Sequence, residues 1–590
     1  MTAEILSRDD LSFLLHDWLR VEELTDHAPF AEHSRDTFDA MLDASRELAV
    51  TSFRPHMRAS DLDEPTFTSR DGSVHTHEAI APALRAFADS GLAAASFGEE
   101  HGGVDLPLTV SRACFAWVQA ANIATAAYPM LTMANAALII AHGSPQQVTD
   151  YADPQLAGVF SGTMCLSEPH AGSSLADVTT RARRDDDSGT WRLTGTKMWI
   201  SGGDHQMTDN IIHLVLARTG AAGVKGLSLF IVPKVLKDGE RNDVTLAGLN
   251  HKMGYRGTTN TLLNFGDGTH SPGGSAGAVG YLVGEENRGL QYMFHMMNEA
   301  RIGVGTGAAA LAMTGYLESL DYARNRPQGR PVGAKDPARP QVPIIEHADV
   351  RRMLLAQKAY AEGSMALCLY AANLVDRSTV ASGEQRRRFD LLLDVLTPVV
   401  KSFPSQYGPA ANDLAIQVLG GAGYTRDHNV EQFYRDNRLN PIHEGTHGIQ
   451  GQDLLGRKVV MQDGAGLRLL AETITATVDA AAASFPAFSD ALAARLARLV
   501  EVTATLRKDG DASAALAHAT DYLEVTGHVV VAWIWLDMAH AAREAGSPLA
   551  AGKRAAAEYF FTRELPLVDP VLDRLAHPDS LFTGLDCADL

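Results

Sequence analysis

The chain has 590 residues, with 51 basic against 71 acidic side chains and a formal net charge of -20. A field of that sign repels nucleic-acid backbones and anionic membrane surfaces, and 45% hydrophobic with 21% charged residues excludes a mainly disordered chain. At roughly 150 residues per domain the length predicts about four structural units, whose cores need neither disulfide nor metal to fold.

Residues 1–157 read as helical. Phe38 to Val50 places Phe38, Met41, Leu42, Leu48 and Ala49 on one face, and Ile80 to Phe87 has the same spacing. The opening residues show no basic stretch followed by an apolar one, so no secretory signal is expected. Phe115 to Ile140 carries no charge and exceeds the ~20 residues needed to cross a bilayer. Gln119, Asn122, Thr125, Pro129, Thr132 and Asn135 interrupt it, which predicts two buried helices meeting near Pro129. Glycines and a proline mark 97–107 as a loop. Cys114, Cys165, Cys368 and Cys587 lie far apart with no CxxC pair, which suits a reducing, cytoplasmic compartment.

Residues 158–285 read as a β-domain. Val178 to Arg183 and Trp191 to Ser201 form a hairpin across an Asp-rich turn (185–187), followed by strands at Ile211 to Leu216, Leu227 to Val232 and Thr261 to Phe265. Gly266 to Gly280, rich in Gly, Ser and Ala, is expected as a mobile surface loop. Helical spacing returns over 286–460, broken by a Pro-rich connector from Pro327 to Pro343. Residues 461–590 form a further helical domain in which Leu492, Leu496, Leu499, Thr503 and Leu506 make one buried stripe. Trp533 and Trp535 are assigned to its core, and the whole segment is expected to pack on the rest of the chain or on a partner subunit. The fold class is therefore α+β: helical domain, β-domain, helical bundle, additional helical domain.

His443-Glu-Gly-Thr-His447 fits the HExxH pattern of zinc hydrolases. That chemistry requires both histidines on one face of a helix, and Pro441, Gly445, Gly448 and Gly451 oppose one, so the match is read as coincidence and no metal is expected. A second reading takes Gly420, Gly421 and Gly423, which allow close backbone approach to a phosphate, together with Gly-Thr after the glutamate. These suggest a loop that grips a nucleotide cofactor and presents a carboxylate.

Four motifs occur in order: Cys165-Leu-Ser-Glu-Pro-His-Ala-Gly-Ser173, Lys197-Met-Trp-Ile-Ser201, Gln417-Val-Leu-Gly-Gly421 and His443-Glu-Gly-Thr446. With weaker echoes at Lys252 to Arg256 and Gly284 to Gly289, the chain resembles the acyl-CoA dehydrogenase family over roughly residues 40–460. The additional C-terminal helices resemble its longer subgroup, which includes 3-methylmercaptopropionyl-CoA dehydrogenases and broad-range fatty acyl-CoA dehydrogenases. The resemblance implies FAD as cofactor and an acyl-CoA oxidised to the trans-2-enoyl-CoA. It further implies electrons passed to an electron-transfer flavoprotein, and a homo-oligomer, here a dimer.

By the same resemblance Glu444 is the base that takes the α-proton, because Ala300 fills the place where some members carry the base on an earlier helix. Met164, Leu166 and Ser167 would meet the flavin edge, Ser173 the pyrophosphate and the substrate, and Trp199 and Ser201 the ring. Trp199 as simple β-domain core is the alternative. Gln417, Gly420 and Gly421 match the adenosine segment, which in the family comes from the neighbouring subunit. Arg326 matches a diphosphate arginine, although its usual Phe neighbour is absent, and Thr446 is a further FAD contact. Asn298 and Arg301 match positions near the CoA chain, with a salt-bridge role for Arg301 as the alternative. His443 stands where an aromatic is common and Gly448 where a glutamine is common, which leaves the acyl length open. Competing functions are an acyl-CoA oxidase, the zinc hydrolase, and a flavin-binding relative without dehydrogenase activity.

Overall fold

The computed structural model describes residues 4–590 except 69, 71, 187, 334, 335, 337, 509 and 545–547, and except the side chains of 295, 298, 544 and 548. One residue of the Asp-rich turn, Asp187, therefore lies outside the described residues. The chain forms two compact units, one of residues 41–106 and 117–303, the other of 1–40, 107–116 and 304–590.

The first unit holds the strands. They are β1 (Thr66–Thr68), β2 (Ser73–His75), β3 (Phe160–Cys165), β4 (Arg181–Arg184), β5 (Trp191–Ser201), β6 (Asn210–Arg218), β7 (Leu227–Pro233), β8 (Val244–Leu249), β9 (Asn260–Phe265) and β10 (Ala278–Leu282). β1 and β2 make a small hairpin, and the rest form one sheet in the order β10-β7-β6-β4-β5-β9-β8, with β3 parallel to β6. β10 also pairs with β5, so five strands close into a ring and leave few open edges. β6 and β7 are buried along nearly their whole length and accordingly read as continuous apolar runs.

One face of the sheet packs Trp191, Leu193, Phe230, Val232 and Phe265 together. On the other, Leu138 and Ile139 of the helix Ile123–His142 and Met293 and Met296 of the helix Gly289–Asn325 cover Leu214, Leu229 and Ile231. Asn135 interrupts the apolar run because its amide donates to the carbonyls of Thr163 and Ile212, at 2.8 and 2.9 Å. Among the described residues, Ile123–His142 is long and apolar enough to cross a membrane, but 72% of its most apolar window is buried inside the protein.

Two expectations are corrected in this unit. The long apolar stretch breaks at Asn122, not near Pro129, because the Asn122 side chain accepts from the N–H of Thr125 and caps a new helix. Pro129 lies inside that helix. The supposed mobile loop is largely fastened: Ala278 and Val279 belong to β10, Arg192 donates to the carbonyls of Pro272, Ser275 and Gly277, and Asp243 accepts from the N–H of Gly268 and His270.

The second unit is helical. Ala348–Val380 and Gly383–Leu419 run against each other and against the helices Met461–Ala481, Ala519–Ala541 and Pro548–Tyr559, and Pro486–Arg507 packs on Met461–Ala481 and Ala519–Ala541. The leucine stripe of Pro486–Arg507 is buried throughout, as its spacing predicts. Trp533 and Trp535 are core residues whose indole N–H groups reach the Thr477 hydroxyl and the Ala359 carbonyl, at 2.9 and 3.3 Å. The last segment packs on its own chain. Fully buried Lys553 pairs with Asp10 and Glu362, and Glu362 also binds Lys358, so the first residues, a central helix and the C-terminal helices share one ion cluster.

Candidate active site

In the β-containing unit the predicted cofactor residues are set by a defect in the sheet. The pairing of β5 with β9 slips between Lys197 and Ile200, and Trp199 adopts a left-handed backbone (φ 66). The bulge turns the indole out of the sheet, leaving it 58% exposed, so Trp199 is not β-domain core. The N–H of Met198, released from β9, donates to the Ser167 carbonyl at 3.0 Å and ties the bulge to the turn after β3. Ser201 lies on β5 opposite Asn260, whose amide reaches its hydroxyl at 3.3 Å. Met164 and Leu166 join the core under the helix Ile123–His142, and Ser167 is half-buried. Ser173 is exposed, next to Gly172, around which a Cβ would find open space.

A buried ion pair underpins this arrangement. Lys197, with no exposed surface, donates to the Leu166 carbonyl at 2.9 Å and to Glu168 at 3.0 Å. The carboxylate of Glu168 also accepts from the N–H and hydroxyl of both Thr179 and Thr180. Burial pushes this carboxyl up, but Lys197 and the two threonines outweigh burial and hold it at about 2. Lys197 and Glu168 both stand inside the motifs but carry no role there; a lysine within the strand Trp191–Ser201 was the available signal.

In the helical unit the Glu444 loop is strained and well fastened. Glu444 (φ 54) and Gly445 (φ 95) are both left-handed, and Thr446 caps the helix His447–Asp453 by accepting from the Ile449 N–H. His443 and His447 therefore do not share one helix, and the geometry required for HExxH is not met. Lys401, fully buried in Gly383–Leu419, donates to the Gly445 carbonyl at 2.6 Å, and the Gln450 amide to the Glu444 carbonyl at 3.0 Å. His443 bonds Asn440 at 3.0 Å, Asn440 donates to Asn437 and Asn437 to Asn412, each at 2.8 Å. Asn437 and Asn412 end on the carbonyls of Ala308 and Leu311. Burial first, then Lys401, pushes His443 down to about 3, and burial, Lys401 and Arg438 push His447 to about 4.

Gln417, Gly420 and Gly421 are brought together, exposed, where the helix Gly383–Leu419 ends, and Gly420 adopts φ 61, ψ -138, a region open in practice to glycine alone. Around Gly420 and Gly421 a Cβ would meet nothing within 4 Å, so the backbone is accessible to a ligand. Arg326 is exposed just past the helix Gly289–Asn325. Arg301 is 3% exposed on that helix, and the side chain of Asn298 lies outside the described residues. Within the β-containing unit an exposed indole and serine hydroxyls, and within the helical unit an open glycine backbone, are each of a kind that suits an aromatic dinucleotide such as FAD, so the residues fit the group.

Residues 163–267, 287–458 and 470–586 match family models described as acyl-CoA dehydrogenase, middle domain, acyl-CoA dehydrogenase, C-terminal domain, and acetyl-CoA dehydrogenase C-terminal like. The chain is similar to the 3-methylmercaptopropionyl-CoA dehydrogenase of Ruegeria pomeroyi, 36% identical over 549 residues and 90% of each chain. It is similar also to the broad-specificity linear acyl-CoA dehydrogenase FadE5 of Mycobacterium tuberculosis, 35% identical over 80% of this chain and 78% of the relative. Among solved structures, Caenorhabditis elegans ACDH-11 in complex with C11-CoA superimposes with a TM-score of 0.76 at 18% identity, over 93% of this chain and 90% of that one. A Bacillus anthracis acyl-CoA dehydrogenase complexed with FAD gives 0.74 at 18% identity, over 96% and 91%. At that identity the two structures bear on the fold, which they share with this chain.

Proposed function

The chain belongs to the acyl-CoA dehydrogenase family and is an oxidoreductase that uses FAD; from that premise we propose that it desaturates an acyl-CoA thioester to the trans-2-enoyl-CoA, with Glu444 as the base. The observation that carries the reading is Glu444 itself, held in a left-handed turn by Lys401 and Gln450 within the His-Glu-Gly-Thr motif. An α-proton of a thioester is weakly acidic, so a carboxylate in a fixed place is needed to remove it. Bound FAD supplies the acceptor for the β-hydrogen as hydride.

The chain's own residues then divide the work. Ser167, Ser201 and the exposed face of Trp199 would hold the flavin ring, Met164 and Leu166 would add apolar contact at its edge, and Ser173 would serve the pyrophosphate. Gln417, Gly420, Gly421 and Arg326 serve the adenosine and diphosphate end, and Thr446 stabilises the loop next to the base. Arg301 and Asn298 serve the CoA side. The substrate is an unbranched acyl-CoA: relatives named for linear, 3-methylmercaptopropionyl and butyryl thioesters support that class. The electron acceptor is an electron-transfer flavoprotein and the setting cytoplasmic; among the described residues no cysteine forms a disulfide, which suits a reducing compartment. We take the protein as a dimer, in which the additional C-terminal helices stand in for a second pair of subunits and the exposed Gln417, Gly420 and Gly421 would meet the second copy; a tetramer by light scattering refutes this.

Glu444→Gln is expected to retain FAD and to lower the rate of flavin bleaching by unbranched acyl-CoAs about 10³-fold, the usual scale for loss of a general base. Near-normal bleaching by that variant removes Glu444 from the role. Peroxide appearing at the rate of enoyl-CoA formation moves the reading to an oxidase.

A further inference from the structure

We infer that Lys401 is the positioning residue of the reacting loop: its sealed ammonium grips the Gly445 carbonyl and so fixes the left-handed Glu444–Gly445 turn that aims the base. The inference rests on the reading of Glu444 given above and adds a residue that takes no part in binding or proton removal itself.

Three observations support it. Lys401 is completely buried, with Val399, Val400 and Phe403 as apolar neighbours in sequence. Withdrawing an ammonium from water costs several kcal/mol, a cost that a methionine of similar volume would avoid, so packing does not account for the charge. The hydrogen bond it makes is short, 2.6 Å, and ends on the carbonyl directly after the base.

The loop also needs such a hold. A non-glycine residue at φ 54 is strained, and such strain persists only where the surroundings over-determine it. Gln450 fastens the Glu444 carbonyl, and the His443–Asn440–Asn437–Asn412 chain anchors the approach to the loop. Of these fasteners Lys401 alone is charged, and a charge-assisted bond is roughly twice as strong as a neutral one. Its field reaches both histidines beside the base and, together with burial, keeps them neutral. The turn is thus held by a fixed cation while both neighbouring histidines stay neutral.

The test compares full-length Lys401→Met, which removes charge and donor, with Lys401→Gln, which keeps a donor without the charge. Flavin content, KM for a panel of unbranched acyl-CoAs, and the limiting rate of flavin bleaching per bound flavin are measured for each. With FAD retained and KM within about threefold, Lys401→Met is expected to slow bleaching about 30- to 100-fold, the scale of a base displaced by about 1 Å. Lys401→Gln is expected to lose less. In parallel, histidine NMR resonances assigned with His443→Gln and His447→Gln are titrated in the protein with and without FAD. The His447 midpoint should rise in both lysine variants, Arg438 being the other cation that depresses it.

A rate within twofold of wild type, or histidine midpoints that do not move, overturns the proposal. Should Lys401→Met not accumulate as folded protein, Lys401→Gln decides by the same two criteria. If no acyl-CoA bleaches the wild-type flavin, the dehydrogenase reading has failed, while the histidine midpoints and a crystal structure of the loop in the variants still decide whether Lys401 sets it.

Discussion

Glu168 and Lys197 show how a few polar atoms inside the β-containing unit set the geometry of its exposed residues. The pair is buried and hydrogen-bonded, and it joins the turn at Leu166–Ser167 to the strand that bulges at Trp199. Removing one member of such a pair leaves the other charge buried without its counter-ion, at a cost of about 3–5 kcal/mol. Glu168→Gln should therefore lower the melting temperature by several degrees and weaken flavin retention. Differential scanning calorimetry and the visible spectrum check both, and a variant that melts and holds flavin like wild type would show the pair to be dispensable. Glu444 is proposed as the base from the resemblance that four motifs carry together, whereas no sequence pattern assigns a role to Lys197 or Lys401. A lysine in a sequence reads as a solvated charge until burial and partners are known.

The elements follow local rules where those rules act alone and depart from them where tertiary contacts intervene. The Pro486–Arg507 stripe repeats at helical spacing and is buried where its pattern says. The break between Leu108–Ala121 and Ile123–His142 instead falls at an asparagine cap, one of six interruptions in the apolar stretch. The start of Leu108–Ala121 is capped from a distance: buried Asp376 accepts from the N–H groups of Leu108 and Thr109 and from the Thr109 hydroxyl, at 2.7, 2.8 and 2.6 Å. No sequence window contains both partners. β10 escaped notice because Ala278 and Gly280, which carry little β-propensity, flank Val279 in a stretch rich in Gly and Ser; pairing with β5 and β7 makes Ala278–Leu282 a strand.

For the molecule as a whole, buried neutral histidines give the pH response. Burial pushes His56 and His447 down to about 4 and His205, His213 and His443 down to about 3. Their unfolded values lie near 6.5, so below that pH the unfolded chain binds protons that the fold refuses, and stability is lost as pH falls toward 4. For the fully buried His205 and His213 this amounts to as much as about 1.4 kcal/mol per pH unit each. Glu168, held at about 2, adds to the loss below 4.5. Asp376 acts in the opposite sense: burial raises it to about 6, so the fold takes up its proton early and gains stability as pH falls. Asp10, Glu524 and Asp537 are raised by burial as well, while His528 joins the five histidines that burial lowers. Six histidines against four carboxyls leave a net loss, and the melting temperature should fall by several degrees between pH 7 and pH 5; a flat profile by calorimetry refutes this. The sequence by itself determined the succession of helical, β and helical regions, the motifs and the candidate base, because periodicity and residue type are local properties. Only the tertiary structure decided which charges are sealed, which side chain the bulge ejects and how the Glu444 loop is held. Those features depend on residues far apart in the chain, whose energies arise from burial and partners and not from the residues alone.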